Sequence, residues 1–353
     1  MTLPGMSLHT LSRSRLALLL FALLTTITVV AQTWWAIAQD RQQTVTSETN
    51  NGMVAVRLLE EHASQTLQSA VHTLDRVVHV VLNSATPEDP SAIRNVVAGY
   101  DIEHSRHLKA LQYVSPHGTS WISSPDYPTH ATQASARSHI QYLLANPGYR
   151  DALVGHPYAS AYDSQWVIPV ARTLYSPQGH VLGVVSVDIR LSYFGTLYSR
   201  VAKENNASVT LLSDQGFILA RSPFQARYVD RDVNDATRLA TLRGAAPEGS
   251  FDDLDFLDDD QGEKLYTYRK LSGFAVTTVY ARDYASVLVA WERRTYERLA
   301  LAAFTIALTV ALTYFLTYYI RHLQRTQHSL RESEAKFFGL FRKSPVPHTL
   351  VHF

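Results

Sequence analysis

Residues 166–189 read WVIPVARTLYSPQGHVLGVVSVDI, and this stretch predicts two strands joined by a tight turn. Trp166 to Tyr175 and Val181 to Ile189 are rich in β-branched and aromatic residues, which suit a pleated, half-buried surface. Between them Ser176-Pro177-Gln178-Gly179 supplies the turn: proline presets φ and glycine tolerates the left-handed region. The pair reads as a hairpin at the centre of an antiparallel sheet. Even spacing puts Trp166, Ile168, Val170 and Arg172 on one face. An arginine among apolar residues is then either a pocket group or the result of a bulge.

Similar units flank this hairpin. Upstream, Leu108 to Val114, a Pro116-His117-Gly118 turn and Thr119 to Ser123 predict another hairpin. Residues 134–144 read as a helix stopped by Asn146-Pro147-Gly148. Downstream, a helix from Tyr193 to Lys203 leads to Ser208–Leu212, the turn Ser213-Asp214-Gln215-Gly216 and Phe217–Arg221. Strands Lys264–Lys270 and Phe274–Tyr280 follow around Leu271-Ser272-Gly273, and a last helix starts near Arg282. Two successive mixed sheets with helices beside them define an α+β fold.

A long helix precedes the sheets, from Gln39 to Asn83. Met53, Val56, Leu59, Ala63, Leu67, Ala70, Leu74, Val77 and Val81 recur at three- and four-residue steps. Such a stripe either packs on its own domain or pairs with a second copy. Packing suits its distal half, and polar Gln42, Gln43, Thr46 and Glu48 suit a looser homodimer contact. Thr86-Pro87 ends the helix.

Two further stretches, Leu16–Ala38 and Leu299–Ile320, contain no Asp, Glu, Lys or Arg. Each spans about 30 Å as a helix, the thickness of a bilayer core. Trp34, Trp35, Tyr314, Tyr318 and Tyr319 sit near their ends, where amphipathic rings meet headgroups. Val29-Val30-Ala31 also fits a signal-peptidase site, but apolar character continues through Ala38, favouring an uncleaved anchor. Arg13 and Arg15 before the first span, and Arg321, His322 and Arg325 after the second, place both flanks in the cytoplasm. Arg293, Arg294 and Arg298 oppose this orientation from the other side. The expected layout is a cytoplasmic segment 1–15, a span 16–38, an outer domain 39–298, a span 299–320 and a cytoplasmic segment 321–353. Within the outer domain a distal module covers about 84–190 and a proximal one about 191–281.

Composition excludes several classes. The 353 residues are 46% hydrophobic and 18% charged, with a formal net charge of +1. Without basic tracts there is nothing to follow a phosphate backbone, so nucleic acid is not an expected partner. The absence of cysteine removes disulfides, thiolate metal sites and Cys nucleophiles.

The stretch 166–189, followed by SYFGTLYSRVAKENNASVTLLSDQGFILARSPF at 192–224, resembles the double Cache sensor domain of bacterial transmembrane receptors. The resemblance runs over about residues 39–295. It implies two PAS-like sheet modules behind a long helix, with a small ligand held in the distal one. Some amino-acid-binding members share a pattern of Arg, Trp, Tyr, Tyr, Asp and Asp. Arg137 matches the carboxylate-binding arginine, Tyr158 the tyrosine of a Pro-Tyr loop, and Asp188 the ammonium-binding aspartate. His139 and Ile140 stand where the pattern has Trp and Tyr, and Ser160 replaces its middle Asp, so only half of it is present. The candidate ligand-binding residues are therefore Arg137, His139, Tyr158, Trp166, Arg172 and Asp188. An amino-acid-like or carboxylate ligand is implied. Asp188 also stands where it could cap the helix starting near Leu191.

Residues 330–347, LRESEAKFFGLFRKSPVP, resemble the entry to a PAS domain, and the arrangement resembles sensors with cyclic di-GMP cyclase or phosphodiesterase outputs. Only about two dozen residues of such a domain are present, so no output module is expected within the chain. The alternatives are the sensor part of a histidine kinase, or a ligand-free dimeric anchor or interaction module.

Other clusters read as less specific. His104 and His107 are three apart, a spacing a metal can use, but without further ligands they read as surface histidines. The run Asp252, Asp253, Asp255, Asp258, Asp259 and Asp260 lacks the spaced ligands and central glycine of an EF-hand, and predicts a solvated loop. There is no Gly-x-Ser-x-Gly elbow, phosphate loop or His-Glu-x-x-His helix. No catalysis, cofactor or metal is expected.

Overall fold

The computed structural model describes residues 8–102, 105–132, 136–233, 240, 242, 244–254, 257 and 262–343. Its helices are α1 (Leu8–Leu82), α2 (Pro90–Gly99), α3 (Ser138–Ala145), α4 (Leu191–Asn205) and α5 (Tyr284–Lys343). Seven strands form one antiparallel sheet: β1 (Leu108–Val114), β2 (Ser120–Ser124), β3 (Tyr127–Thr132), β4 (Leu153–Val154), β5 (Tyr158–Ala159), β6 (Trp166–Tyr175) and β7 (Val181–Arg190). Their order is β3-β2-β1-β7-β6-β4, with β5 also paired to β6. Five more form a second sheet, ordered β10-β11-β12-β8-β9: β8 (Ala207–Ser213), β9 (Ile218–Ser222), β10 (Glu248–Leu254), β11 (Glu263–Lys270) and β12 (Val276–Asp283). This is the α+β, two-module architecture that the sequence predicts.

Residues 44–288 form one compact unit. Its core is the apolar stripe of α1. Val56, Leu59, Ala63, Leu67, Ala70, Leu74 and Val77 are fully buried, packed with Leu111, Ile168, Val170, Val185 and Val187 of the first sheet and Val209, Leu211 and Leu219 of the second. From Val56 onward the stripe is thus spent inside its own domain. This is the intramolecular packing expected for its distal half. At Gly52 α1 runs close against β11: a Cβ there would lie 2.3 Å from Thr267 Oγ1.

The register fixes the faces of the first sheet. Ser186 lies opposite Gln112 on one side and Ala171 on the other, and Asp188 lies between Ala110 and Pro169. Because side chains alternate, Val185, Val187 and Ile189 point to α1, whereas Val184, Ser186 and Asp188 point to the opposite face. There Val114, Ala171 and Val184 pack on Ile140 and Leu143 of α3. Gly183 has φ +146°, and a Cβ on it would stand 2.4 Å from the Val114 carbonyl oxygen. A glycine is required at this bend.

Several sequence expectations need correction. Strands β4 and β5, of two residues each, are too short to show a period-2 pattern, and β3 carries Pro128, which weakens a strand reading; none of the three is predicted from the sequence. Asp252 and Asp253 belong to edge strand β10 rather than a solvated loop, with Asp253 facing Lys264 of β11. Opposite charges across a pair favour the strand. Asp255, Asp258, Asp259 and Asp260 lie outside the described residues, as do His104 and residues 344–347 of the PAS-like segment. Residues 134 and 135 of the predicted helix are also outside, and α3 begins at Ser138.

The second unit comprises residues 1–43 and 289–353. Within it, Trp291 Nε1 donates to the Ile37 carbonyl at 3.2 Å. Asp40 accepts ion pairs from Arg294 at 3.0 Å and Arg298 at 3.2 Å. α1 and α5 are each long and apolar enough to cross a membrane. Their apolar side chains are turned outward: Phe21 is 66% exposed and Phe304 67%.

Candidate ligand-binding site

The polar strip on the α3 face of the first sheet gathers residues from four elements. Asp188 and Ser186 come from β7, Gln112 from β1, Tyr158 from β5 and His139 from α3. Arg137 is the residue that caps α3, in extended conformation and with no side-chain bond to the helix, so its guanidinium is free to turn toward the sheet. One guanidinium nitrogen donates to Gln112 Oε1 at 2.9 Å and to the Tyr158 hydroxyl. The guanidinium carbon also lies 3.9 Å from the Tyr158 ring centroid. The Tyr158 hydroxyl in turn lies 2.5 Å from Asp188 Oδ2. The His139 ring stacks on that of Tyr158, with centroids 6.2 Å apart at 10°.

Burial sets the protonation preferences. Asp188 is 3% exposed, and desolvation raises its carboxyl above the ordinary range, opposed by the Arg137 charge, the Tyr158 hydrogen bond and Lys109. His139 is pushed down to about 3, first by burial and then by the charges of Arg137 and His156. It is neutral at physiological pH.

Four buried polar atoms here have no partner: Gln112 Nε2, His139 Nε2, Ser186 Oγ and Asp188 Oδ1. Each such atom typically costs about 1–3 kcal/mol, and native proteins leave few of them. Clustered on one strip beside a guanidinium, they form a ready set of contacts for a small polar molecule. Arg137 offers a planar fork that matches a carboxylate, the Gln112 amide donates, and Asp188 Oδ1 accepts.

The helix-cap alternative for Asp188 fails, because Arg190 is the residue that caps α4 and Asp188 is turned into the strip. Two other candidates do not join the site. Arg172 lies on the α1 face and pairs with Asp75 of that helix, so a partner on α1 rather than a bulge explains its position. Trp166 faces a separate cleft of about 540 Å³ beside α4, together with Leu191, Gly195, Tyr198 and Phe224. In turn, Gln112, Ser186 and Lys109 were not singled out from the sequence. Ser186 lies two residues before Asp188 and so on its face, a signal that alternation alone could have provided. Lys109 is 1% exposed, ion-paired to Asp163 and 3.3 Å from Gln165 Oε1. It ties the loop before β6 to β1. His107 hydrogen-bonds Ser69 Oγ at 3.0 Å.

Residues 36–291 match the family model of the Cache domain. The chain belongs to the Cache domain family. Solved structures of similar fold include the extracellular domain of rpHK1S-Z16, named as a histidine kinase, at 24% identity and a TM-score of 0.57, covering 70% of this chain and 98% of that one. The periplasmic sensory domain of the Campylobacter jejuni chemoreceptor Tlp1 aligns at 14% identity with a TM-score of 0.55, covering 69% and 98%. The sensory domain of chemoreceptor Tlp3 from the same organism aligns at 15% and 0.50, covering 71% and 99%. None of the curated proteins matches the sequence. In this Cache domain the strip built on Arg137, Tyr158 and Asp188 lies in the first of the two sheets, the module that the resemblance designates for ligand.

Proposed function

We propose that the chain is a transmembrane receptor whose Cache domain binds a small molecule at the Arg137–Tyr158–Asp188 strip. The observation that carries this reading is the group of four buried, unpartnered polar atoms around a guanidinium and a carboxyl. An anionic end of the ligand meets Arg137. A cationic or donor end meets Asp188 Oδ1, so an amino-acid-like molecule or a small carboxylate fits.

In this reading Leu16–Ala38 and Leu299–Ile320 cross the inner membrane and residues 39–298 face outward. Arg294 and Arg298, two of the three arginines that oppose this orientation, pair with Asp40. Binding shifts α1 and α5 between two arrangements, and only a difference in ligand affinity between those arrangements can drive the shift. The output lies beyond the helix at 322–336. The PAS-like residues 330–347 favour cyclic di-GMP turnover, and a histidine kinase would be driven through the same helix. Copies pair through the exposed Gln42, Gln43 and Thr46, outside the buried stripe.

Thermal melting of the full chain in detergent, against a panel of amino acids and small carboxylates, tests the reading. A ligand at 100 times its Kd adds about 2.7 kcal/mol, so a saturable rise in Tm is expected for at least one chemical class. A flat response across the panel would count against a small-molecule receptor.

A further inference from the structure

The segment Gly155-His156-Pro157-Tyr158 joins β4 to β5 and touches both sheets. At its end, Tyr158 bridges Arg137 and Asp188. At its start, the Gly155 amide donates to the Pro169 carbonyl at 2.9 Å. A Cβ on Gly155 would stand 2.6 Å from His139 Cβ, so the segment lies flat against α3. Between these anchors His156 reaches the second sheet. Its ring stacks on Phe217 with centroids 3.7 Å apart at 19°, and Nδ1 lies 2.6 Å from Asp230 Oδ1.

Both partners of His156 are fixed parts of the second module. Phe217 is 3% exposed, its carbonyl accepts from Ser213 at 2.9 Å, and it bridges to Asp232 just before β9. Asp230 holds a left-handed φ of +59°, and its amide donates to the Ile218 carbonyl at 3.1 Å. Asp and Asn tolerate this region better than most residues.

We propose that His156 couples the state of the Arg137–Tyr158–Asp188 strip to the second sheet, which rests on the reading of that strip as the ligand site. His156 and Tyr158 are two residues apart, about 7 Å in extended chain. The residue between them is Pro157, whose ring fixes φ and stiffens the link. A ligand that joins Arg137 and the open Asp188 Oδ1 shifts the Tyr158 hydroxyl held between those two residues, and with it the main chain at β5. Through the stiff link His156 turns on Phe217 and Asp230, and β9 responds. The competing route is α1, whose stripe packs on both sheets.

Hydrogen exchange on the full chain in lipid nanodiscs separates the two routes without any ligand. Tyr158→Phe removes the hydroxyl bridge and mimics its displacement. The expected result is a change of about fivefold or more in exchange at Ile218–Ser222, the lower end of typical site-to-site coupling. In a His156→Ala background the same substitution leaves β9 exchange unchanged. His156→Phe keeps the ring on Phe217 and loses the Asp230 contact. Wild-type basal protection of β9 in that variant, with a weakened Tyr158→Phe response, assigns the lost response to coupling rather than unfolding. An equal response with and without His156 overturns the proposal in favour of α1, and no response in any background overturns it outright. Because no ligand is added, neither result depends on what occupies the strip.

Discussion

The phenol oxygen of Tyr158 lies 2.5 Å from Oδ2 of Asp188, while Oδ1 of the same carboxyl is buried without a partner. Half of the carboxyl is thus satisfied by the protein and half is left open. The strip is organised but incomplete. Preorganisation of this kind lowers the ordering cost of binding.

Asp188→Asn follows directly from that arrangement. Burial raises the Asp188 carboxyl, so ionising it in the folded protein costs stability, and that cost fades as pH falls through the raised value. The amide has the same shape without the charge. Unliganded Tm at pH 7.5 should equal or exceed that of the wild type, measured by calorimetry. A loss of more than about 1 kcal/mol, the size of a lost cap, would instead mark Asp188 as a structural residue.

Arg172→Ala should behave quite differently from any change at Arg137. Arg172 pairs with Asp75, and their side chains are 36% and 45% exposed. A pair this exposed typically contributes about 0–1 kcal/mol. Urea melts should show a small loss, and ligand-dependent stabilisation should be intact. Loss of the ligand response in Arg172→Ala would return that residue to the site.

Stability should fall on acidification. Burial lowers His62, His107 and His139 below the ordinary histidine range, with His107 also lowered by the charge of His62. Each takes up a proton more readily in the unfolded chain than in the folded one, so stability is full above about pH 6.5 and declines below it. His139 reaches about 3, so its contribution keeps falling down to that pH, by up to about 1.4 kcal/mol per unit. Urea melts between pH 8 and 5 should show the decline, and His62→Phe should reduce it. Flat stability over this range would contradict the burial of these rings.

How much of this was legible in the sequence depended on the length of each pattern. The hairpin at 166–189 and the stripe from Val56 to Val81 were readable because many residues repeat one period. Strands of two residues, such as Tyr158–Ala159, contain no period at all. Arg137, Tyr158 and Asp188 were found through resemblance to a family, and the fold does bring them together. Gln112 and Lys109 were missed because a polar residue within a strand announces its face only once register is known. Trp166 and Arg172 share a strand with site-facing residues but sit on its other side. A one-residue step in alternation separates pocket from core.

Topology has its own check. A reporter inserted in the turn at Gln178–Gly179 should read as extracytoplasmic, and one fused after Lys343 as cytoplasmic. The inverted result would mean that Arg293, Arg294 and Arg298 dominate the orientation despite the pairing of two of them with Asp40.

The most direct measurement is calorimetric titration of wild type, Arg137→Ala and Asp188→Asn with whichever panel compound raises Tm. Removing one partner of a buried charged contact typically costs about 2–5 kcal/mol. The account therefore predicts affinity weakened by roughly 30-fold or more in both variants, with both still folded. Wild-type affinity in both variants would contradict it and place the ligand elsewhere.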